Sequence, residues 1–214
     1  ISFSVAPSLE PKPGFDPLKD FTPITLLATV NNLLTVHPSL PVRNVKDLIA
    51  LARSRPNELP YASGGNGGAQ HLAAELFSHL AKVKLVHVPY KGSAPGVTAL
   101  IGGEVSIGFG DMVITQPHVK SGKLRGLAVT GPKRSTVIPE LPTIAESGLP
   151  GFAFSTWFAL LAPAGLPAEI QTRLNGEVAK ALKVPGTRER LSGLGAEPVG
   201  NTPEEFATFL RTEV

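Results

Sequence analysis

The sequence predicts an α/β fold carried by a mainly parallel sheet. Three observations predict it. From Leu59 to Thr130, short β-rich runs alternate with helix-period segments. The links between them are short, so each strand–helix–strand step reads as a right-handed crossover that sets its strands parallel. Glycine and proline are both abundant, 22 and 21 of 214 residues, yet they are scattered between the periodic segments and so mark turns rather than low complexity.

Phe21 to His37 contains two β-rich runs, "FTPITLLATV" and "NLLTVHP". A helix follows, with Asn44 as N-cap, Asp47 at the capping-box position, and Val45, Leu48, Ile49 and Ala52 on one apolar face. "LPYAS" is a short strand leading into "GGNGG", and the next helix carries Ala69, Leu72, Ala73, Leu76, Phe77 and Leu80 on one side. "KVKLVHV" is a strand and "PYKGSAP" a loop. Pro95 suits the first turn of a helix bearing Val97, Leu100 and Ile101, which Gly102 and Gly103 end. "EVSIGF" is a strand, "QPHVKSG" a short helix and "KLRGLAVT" a strand.

After Thr130 the alternation stops. "GPKRSTVIPELPTIAESGLPGF" reads as a proline-rich surface segment with one turn of helix. "STWFALLAP" is a strand on which Trp157 and Phe158 face opposite sides, both packing in a core by default. A long helix from Pro167 spaces Ile170, Leu174, Val178 and Leu182 by four. "AEPV" is a short strand, and Thr202 with Glu205 forms a capping box for the last helix. No internal repeat stands out.

Composition excludes several classes. There is no Cys, hence no disulfide framework and no thiolate metal site. No apolar run is long enough to span a bilayer as a helix. Net charge is +3, and the densest basic stretch, His118 to Arg134, contains no aromatic residue, so a solvated face is expected there and no nucleic-acid interface. The only Met is Met112, and the last residues run off inside a helical pattern, which reads as a piece of a longer chain.

Ligands of open α/β sheets bind at the carboxyl ends of the strands. Two strand-to-helix loops lie at that edge: Ser63, Gly64, Gly65, Asn66, Gly67, Gly68, and Tyr90, Lys91, Gly92, Ser93, Ala94. Glycines let backbone N–H groups approach a ligand, and helix N-termini add unpaired donors with a positive dipole end. An anion such as a carboxylate or phosphate suits such a loop, and Ser63, Asn66 and Gln70 could add directional bonds. A tight turn with no ligand is the open alternative. The spacing is neither a Walker loop nor a dinucleotide fingerprint. Ser93 reads as the N-cap of its helix, with its backbone N–H able to face a ligand, and Lys91 as solvated. Asp111 either accepts from a ligand or starts the next turn. His71 and Glu75 have metal-compatible spacing but no third ligand, and His71 is expected to satisfy the loop. His87 is expected to be structural. A triad of Ser63, His118 and Asp111 lacks a nucleophile elbow and is set aside.

"DPLKDFTPITLLATVNNLLTVHPSLP", "YASGGNGGAQHLAAELF", "VHVPYKGSAPGVTALIGGEVSIGF", "KLRGLAVTGPKRS", "LPTIAESGLPGF" and "WFALLAPAGLP" arrive in one order. Together, from about Asp16 to the C-terminus, they resemble the Bug-type substrate-binding receptors of tripartite tricarboxylate transporters. "VPYKGSAP" and "LAVTGPKRS" are the specific parts. The resemblance implies a two-lobed, type II periplasmic-binding-protein-like α/β fold. Residues 1–40 would form part of the first lobe, 41–152 the second, and 153–214 the return to the first. It implies a periplasmic, monomeric receptor that captures a small organic acid in an interlobe cleft and passes it to transporter membrane subunits. No catalysis, cofactor, metal or nucleic acid is implied. By position, Ser63 to Gly68 match the ligand loop of the second lobe, with Gln70 and His71 at the start of its helix. Tyr90 to Ala94 match the next ligand-facing loop. The family often carries Asp where Gly110 stands, with Asp111 one residue later, which leaves open whether Asp111 reaches the cleft. Family members also begin with a strand and a proline–glycine loop that supplies the other jaw, so the first lobe is expected to be incomplete and the 214 residues to bind weakly alone. A membrane-coupled sensor on the same fold, or an α/β enzyme acting on a small acid, are the alternatives.

Overall fold

The computed structural model describes residues 2–9 and 14–214. The chain divides into two compact units, one of Val30–Ser155 and one of Ile1–Thr29 with Thr156–Val214. It crosses between them within strand β1 (Phe21–Val36) and again at the start of strand β6 (Ser155–Pro163).

The Val30–Ser155 unit holds α2 (Val45–Ser54), β2 (Pro60–Ser63), α3 (Ala69–Ala81), β3 (Val86–Pro89), α4 (Ser93–Gly102), β4 (Ile107–Asp111), α5 (Met112–Lys120) and β5 (Arg125–Val129). Its sheet runs β3-β2-β4-β1-β5. β2 is parallel to β3 and to β4, whereas β1 is antiparallel to both β4 and β5. The four strands after β1 therefore point one way, as the strand–helix alternation predicts, and β1 is inserted against them. Among these five strands, β1 alone makes the pairing mixed.

β1 corrects the expectation of two runs. The two runs quoted from the sequence part at Asn31, and asparagine is common in turns. In the sheet Asn31 and Asn32 are both buried: Asn32 Nδ2 donates to the Phe109 carbonyl at 2.9 Å, and Thr130 Oγ1 accepts from the Asn32 N–H at 2.8 Å. The amide is satisfied by neighbouring strands, so the strand continues.

α2 starts as predicted. Asn44 accepts from the Asp47 N–H, and Val45, Leu48, Ile49 and Ala52 are buried. α3 is rotated from its predicted face: Gln70, Ala73, Ala74, Phe77 and Ala81 are buried, while Leu72, Leu76 and Leu80 are half-buried. Alanines let a helix lie close to a sheet, and the larger leucines then flank the contact. The proline-rich segment is not merely surface. Ile138, Ile144, Leu149 and Phe152 are buried, the last three in the main core with Phe77, Tyr61 and Phe109. Single apolar residues between turns leave no periodic signal.

The other unit contains α1 (Ser2–Leu9), the first part of β1, β6, α6 (Ala168–Lys183), α7 (Pro185–Gly193), β7 (Ala196–Pro198) and α8 (Pro203–Glu213). α1 contains Pro7 and was not anticipated. Trp157 packs on Phe206 and Leu210, and its Nε1 donates to Glu213 Oε2 at 2.8 Å. Phe158 is exposed, against the core expectation. α6 buries no residue: Ile170 and Leu174 are exposed. It is held instead by amides, with Gln171 Nε2 donating to the Pro23 carbonyl and Asn175 Nδ2 to the Ile24 carbonyl. Thr202 and Glu205 form the predicted capping box of α8.

Candidate functional site

β2 and β3 are parallel neighbours, so their carboxyl ends bring the two predicted loops together at one sheet edge. The loops are tied by backbone bonds, Tyr90 N–H to the Ser63 carbonyl at 2.9 Å and Gly92 N–H to the Gly64 carbonyl at 3.1 Å. Gly64 is needed for this approach: a Cβ there would stand 3.1 Å from the Gly92 carbonyl carbon and 3.2 Å from the Ser93 nitrogen. Gln70, buried in the first turn of α3, joins both loops. Its Oε1 accepts from the Gly64 N–H, and its Nε2 donates to Ser93 Oγ at 2.6 Å. The Gln70 side chain is thus used internally rather than offered to a ligand. Ser93 is not the N-cap. Gly92 takes that place, and the Ser93 hydroxyl meets Gln70.

The starts of α3 and α4 are open. Their N-caps, Gly68 and Gly92, make no side-chain cap bond. The N–H groups of Ala69, Gln70 and His71 and those of Ser93 and Ala94 find no acceptor among the described residues. Two positive dipole ends with unfilled donors side by side can receive an anion. Beneath them a cavity of about 10 Å³ is lined by Ser63, Gln70, Ser93, Gly96, Gly108 and Gly110, among others. That is room for one water-sized group.

Under the glycine loop lies a polar stack. His71 and His87 are stacked with centroids 4.1 Å apart, and Tyr61 stacks on His87 at 5.0 Å. His71 Nδ1 accepts from the Gly67 N–H at 3.0 Å, which fulfils its expected loop role. His87 Nε2 meets Ser63 Oγ at 2.6 Å, and Ser63 Oγ also accepts from the Gly65 N–H at 3.1 Å. His87 therefore supports the loop through Ser63, a link that distance along the chain conceals in the sequence. Burial pulls the His87 pKa down, the neighbouring His71 adds to that, and Glu75 opposes it. Tyr61 donates to Glu75 Oε1 at 2.7 Å, and burial followed by this bond pushes its phenol well above its ordinary range.

The triad of Ser63, His118 and Asp111 is not assembled. The partner of Ser63 is His87 and not His118, and Ser63 is 1% exposed. His71 Nε2 and Glu75 Oε1 are 3.9 Å apart, and among the described residues no group of three or more potential metal ligands gathers. Asn66, Lys91 and Ala94 are exposed, whereas the Tyr90 ring packs against the Val97–Leu100 cluster, and burial followed by Glu104 raises its pKa. Asp111 ends β4 opposite Asn32 and N-caps α5 with no side-chain bond. Gly110, not Asp111, lines the small cavity.

A family sequence model described as "Tripartite tricarboxylate transporter family receptor" matches residues 1–214. The chain is 36% identical over 211 residues to the protein BugT of Bordetella pertussis, covering 99% of this chain and 65% of that protein. An R. palustris protein solved with adipate is 43% identical, with a TM-score of 0.83 over 94% of this chain and 67% of that one. MatC from Rhodopseudomonas palustris, solved with bound malate, is 32% identical, with a TM-score of 0.83 over 98% of this chain and 72% of that one. The chain spans about three fifths of the length of the curated relatives it matches.

Proposed function

The chain belongs to the tripartite tricarboxylate transporter receptor family, and from that premise we propose that it is a periplasmic receptor for a small organic acid. In this reading one carboxylate of the ligand sits at the paired starts of α3 and α4. The observation that carries it is the convergence of those two uncapped helix N-termini, whose free N–H groups meet at the edge where β2 and β3 end. In this reading the ligand is bound and not transformed: Ser63 is buried beneath its own loop, and the Ser93 hydroxyl accepts from Gln70 Nε2. The backbone of Ser63 to Gly68 and of Gly92 to Ala94 supplies the donors. Gln70, His71 and Ser93 position them, Asn66 and Lys91 border them, and Tyr90 shapes the second loop. Asp111 lies one strand end away and takes no part in holding the carboxylate. Adipate and malate, bound by structurally similar proteins, suggest dicarboxylates of this size as the first ligands to try. The receptor acts as a monomer and delivers its cargo to the membrane subunits of the transporter.

A thermal-shift panel of mono-, di- and tricarboxylates tests the reading. A ligand at about 100 times its Kd stabilises by about 2.7 kcal/mol, a readily measured shift. A shift with an organic acid supports the receptor. Silence across the panel, with folded and ligand-stripped protein, sinks it.

A further inference from the structure

The sequence contains two Asn-Gly pairs, Asn66–Gly67 and Asn175–Gly176, and the fold treats them in opposite ways. An Asn followed by Gly is the pair most prone to deamidation, because glycine offers no side chain to hinder attack of its nitrogen on the Asn side-chain amide. Asn175 is protected. It lies inside α6, and its Nδ2 donates to the Ile24 carbonyl at 3.0 Å and the Asn201 carbonyl at 2.8 Å. Asn66 is exposed on the glycine loop, in a turn closed by Gly68 N–H to the Gly65 carbonyl. None of the hydrogen bonds of the described residues involves its side-chain amide. The attacking nitrogen, that of Gly67, already directs its proton at His71 Nδ1, 3.0 Å away.

We propose that Asn66–Gly67 is a self-modification site, with His71 as the base, and that its conversion to aspartate or isoaspartate shuts the carboxylate site. The Gly67 nitrogen forms a bond to Asn66 Cγ as its proton passes to His71 Nδ1. The Cγ–Nδ2 bond breaks, and ammonia leaves with that proton. Water then opens the five-membered imide at either carbonyl, giving aspartate or isoaspartate at position 66. One water is consumed and one ammonia released, with no change of oxidation state. The product places a fixed negative charge two residues before the Gly68 N-cap, where it occupies the α3 donors and repels an incoming carboxylate. Isoaspartate also lengthens the backbone by one carbon in a loop whose two ends are pinned by Ser63 and Gln70. The consequence rests on the receptor reading; the chemistry does not.

The purified protein is incubated in mildly alkaline buffer. The peptides holding Asn66 and Asn175 are followed by mass and isoaspartate content, and adipate binding is measured on the same samples by calorimetry. The Asn66 peptide is expected to convert about tenfold faster than the Asn175 peptide or more, and the converted protein and the Asn66→Asp variant to lose adipate affinity by about tenfold. His71→Phe, which keeps an aromatic ring against His87, is expected to slow the conversion. Equal rates at the two sites overturn the proposal, as does unchanged adipate affinity after conversion. Undiminished conversion in His71→Phe removes the assigned base. Fresh protein that binds no adipate counts against the receptor reading for this acid, while the mass readout still decides the modification.

Discussion

Helices α2 and α3 belong to the same compact unit, and their first turns are built differently. α2 begins on Asn44, whose side chain accepts from the Asp47 N–H at 2.9 Å, while Asp47 Oδ2 accepts from the Arg43 N–H. One of its orphan donors, the Asp47 N–H, is thus filled by its own sequence. α3 begins on Gly68, which has no side chain to offer, and the polar groups around it serve the loop and not the helix end. Gln70, Ser63 and His71 take the N–H groups of Gly64, Gly65 and Gly67, His87 holds the Ser63 hydroxyl, and the N–H groups of Ala69, Gln70 and His71 stay open among the described residues. An uncapped start is not by itself a site, since α6 and α7 begin without side-chain caps on Pro167 and Val184. What sets α3 apart is that its start is pinned beside that of α4 by groups buried for that purpose. One start is finished; the other is rigidly held unfinished.

The largest effect should come from removing the clamp. Gln70→Ala leaves the part-buried Gly64 N–H and Ser93 Oγ without partners, so a loss of about 1–3 kcal/mol in stability is expected, together with loss of carboxylate binding. Asn44→Ala removes a cap of the finished kind and is expected to cost about 1 kcal/mol with binding intact. Denaturant titration and a carboxylate binding assay on both variants check the contrast. If Asn44→Ala weakened binding as much as Gln70→Ala, the separation between the two kinds of helix start would collapse.

The finished start was legible in the sequence because capping is local. Asn44 and Asp47, like Thr202 and Glu205, are three residues apart, and their chemistry is complete within one turn. The glycine loop was legible as a place, since glycines between a strand and a helix need little context. Its supports were not. Gln70 reads in sequence as a ligand contact and His87 as structural without a partner to name, because their partners, Ser93 and Ser63, are 23 and 24 residues away and adjacent only once β2 and β3 pair. The same limit hid the continuity of β1, whose Asn32 amide is satisfied by Phe109, and the core role of Ile144 and Phe152 in a segment without periodicity. Local patterns carried the elements and the edge where the loops meet. Long-range pairing decided which side chains hold the loop.

The histidine support adds a pH dependence that the α2 start lacks. The His87 pKa is depressed in the folded state, so the unfolded chain takes up the proton more readily. Its contribution to stability is present above the ordinary value of 6.5 and is lost as pH falls below that value toward the depressed folded one. Denaturation midpoints at about pH 7.5 and about pH 5.5 should therefore differ more for the native protein than for His87→Asn. Equal differences in the two proteins would remove His87 from the support.

The smallest change in stability is expected from finishing the unfinished start. In Gly68→Ser the backbone is already extended, with φ −72° and ψ 164°, so a serine can adopt the N-cap conformation. Its Cβ would lie 3.4 Å from the Gly65 carbonyl oxygen, an ordinary contact. The hydroxyl can then accept from the Gln70 or His71 N–H, as Asn44 does for Asp47, and a gain of a few tenths of a kcal/mol over glycine is expected. The same bond competes with a carboxylate for the donors of α3, so binding should weaken as stability rises. An ordinary defect at the start of α3 would be repaired by this substitution without harm to binding. Opposite shifts in melting temperature and carboxylate affinity are expected only if those N–H groups are left open to receive the ligand.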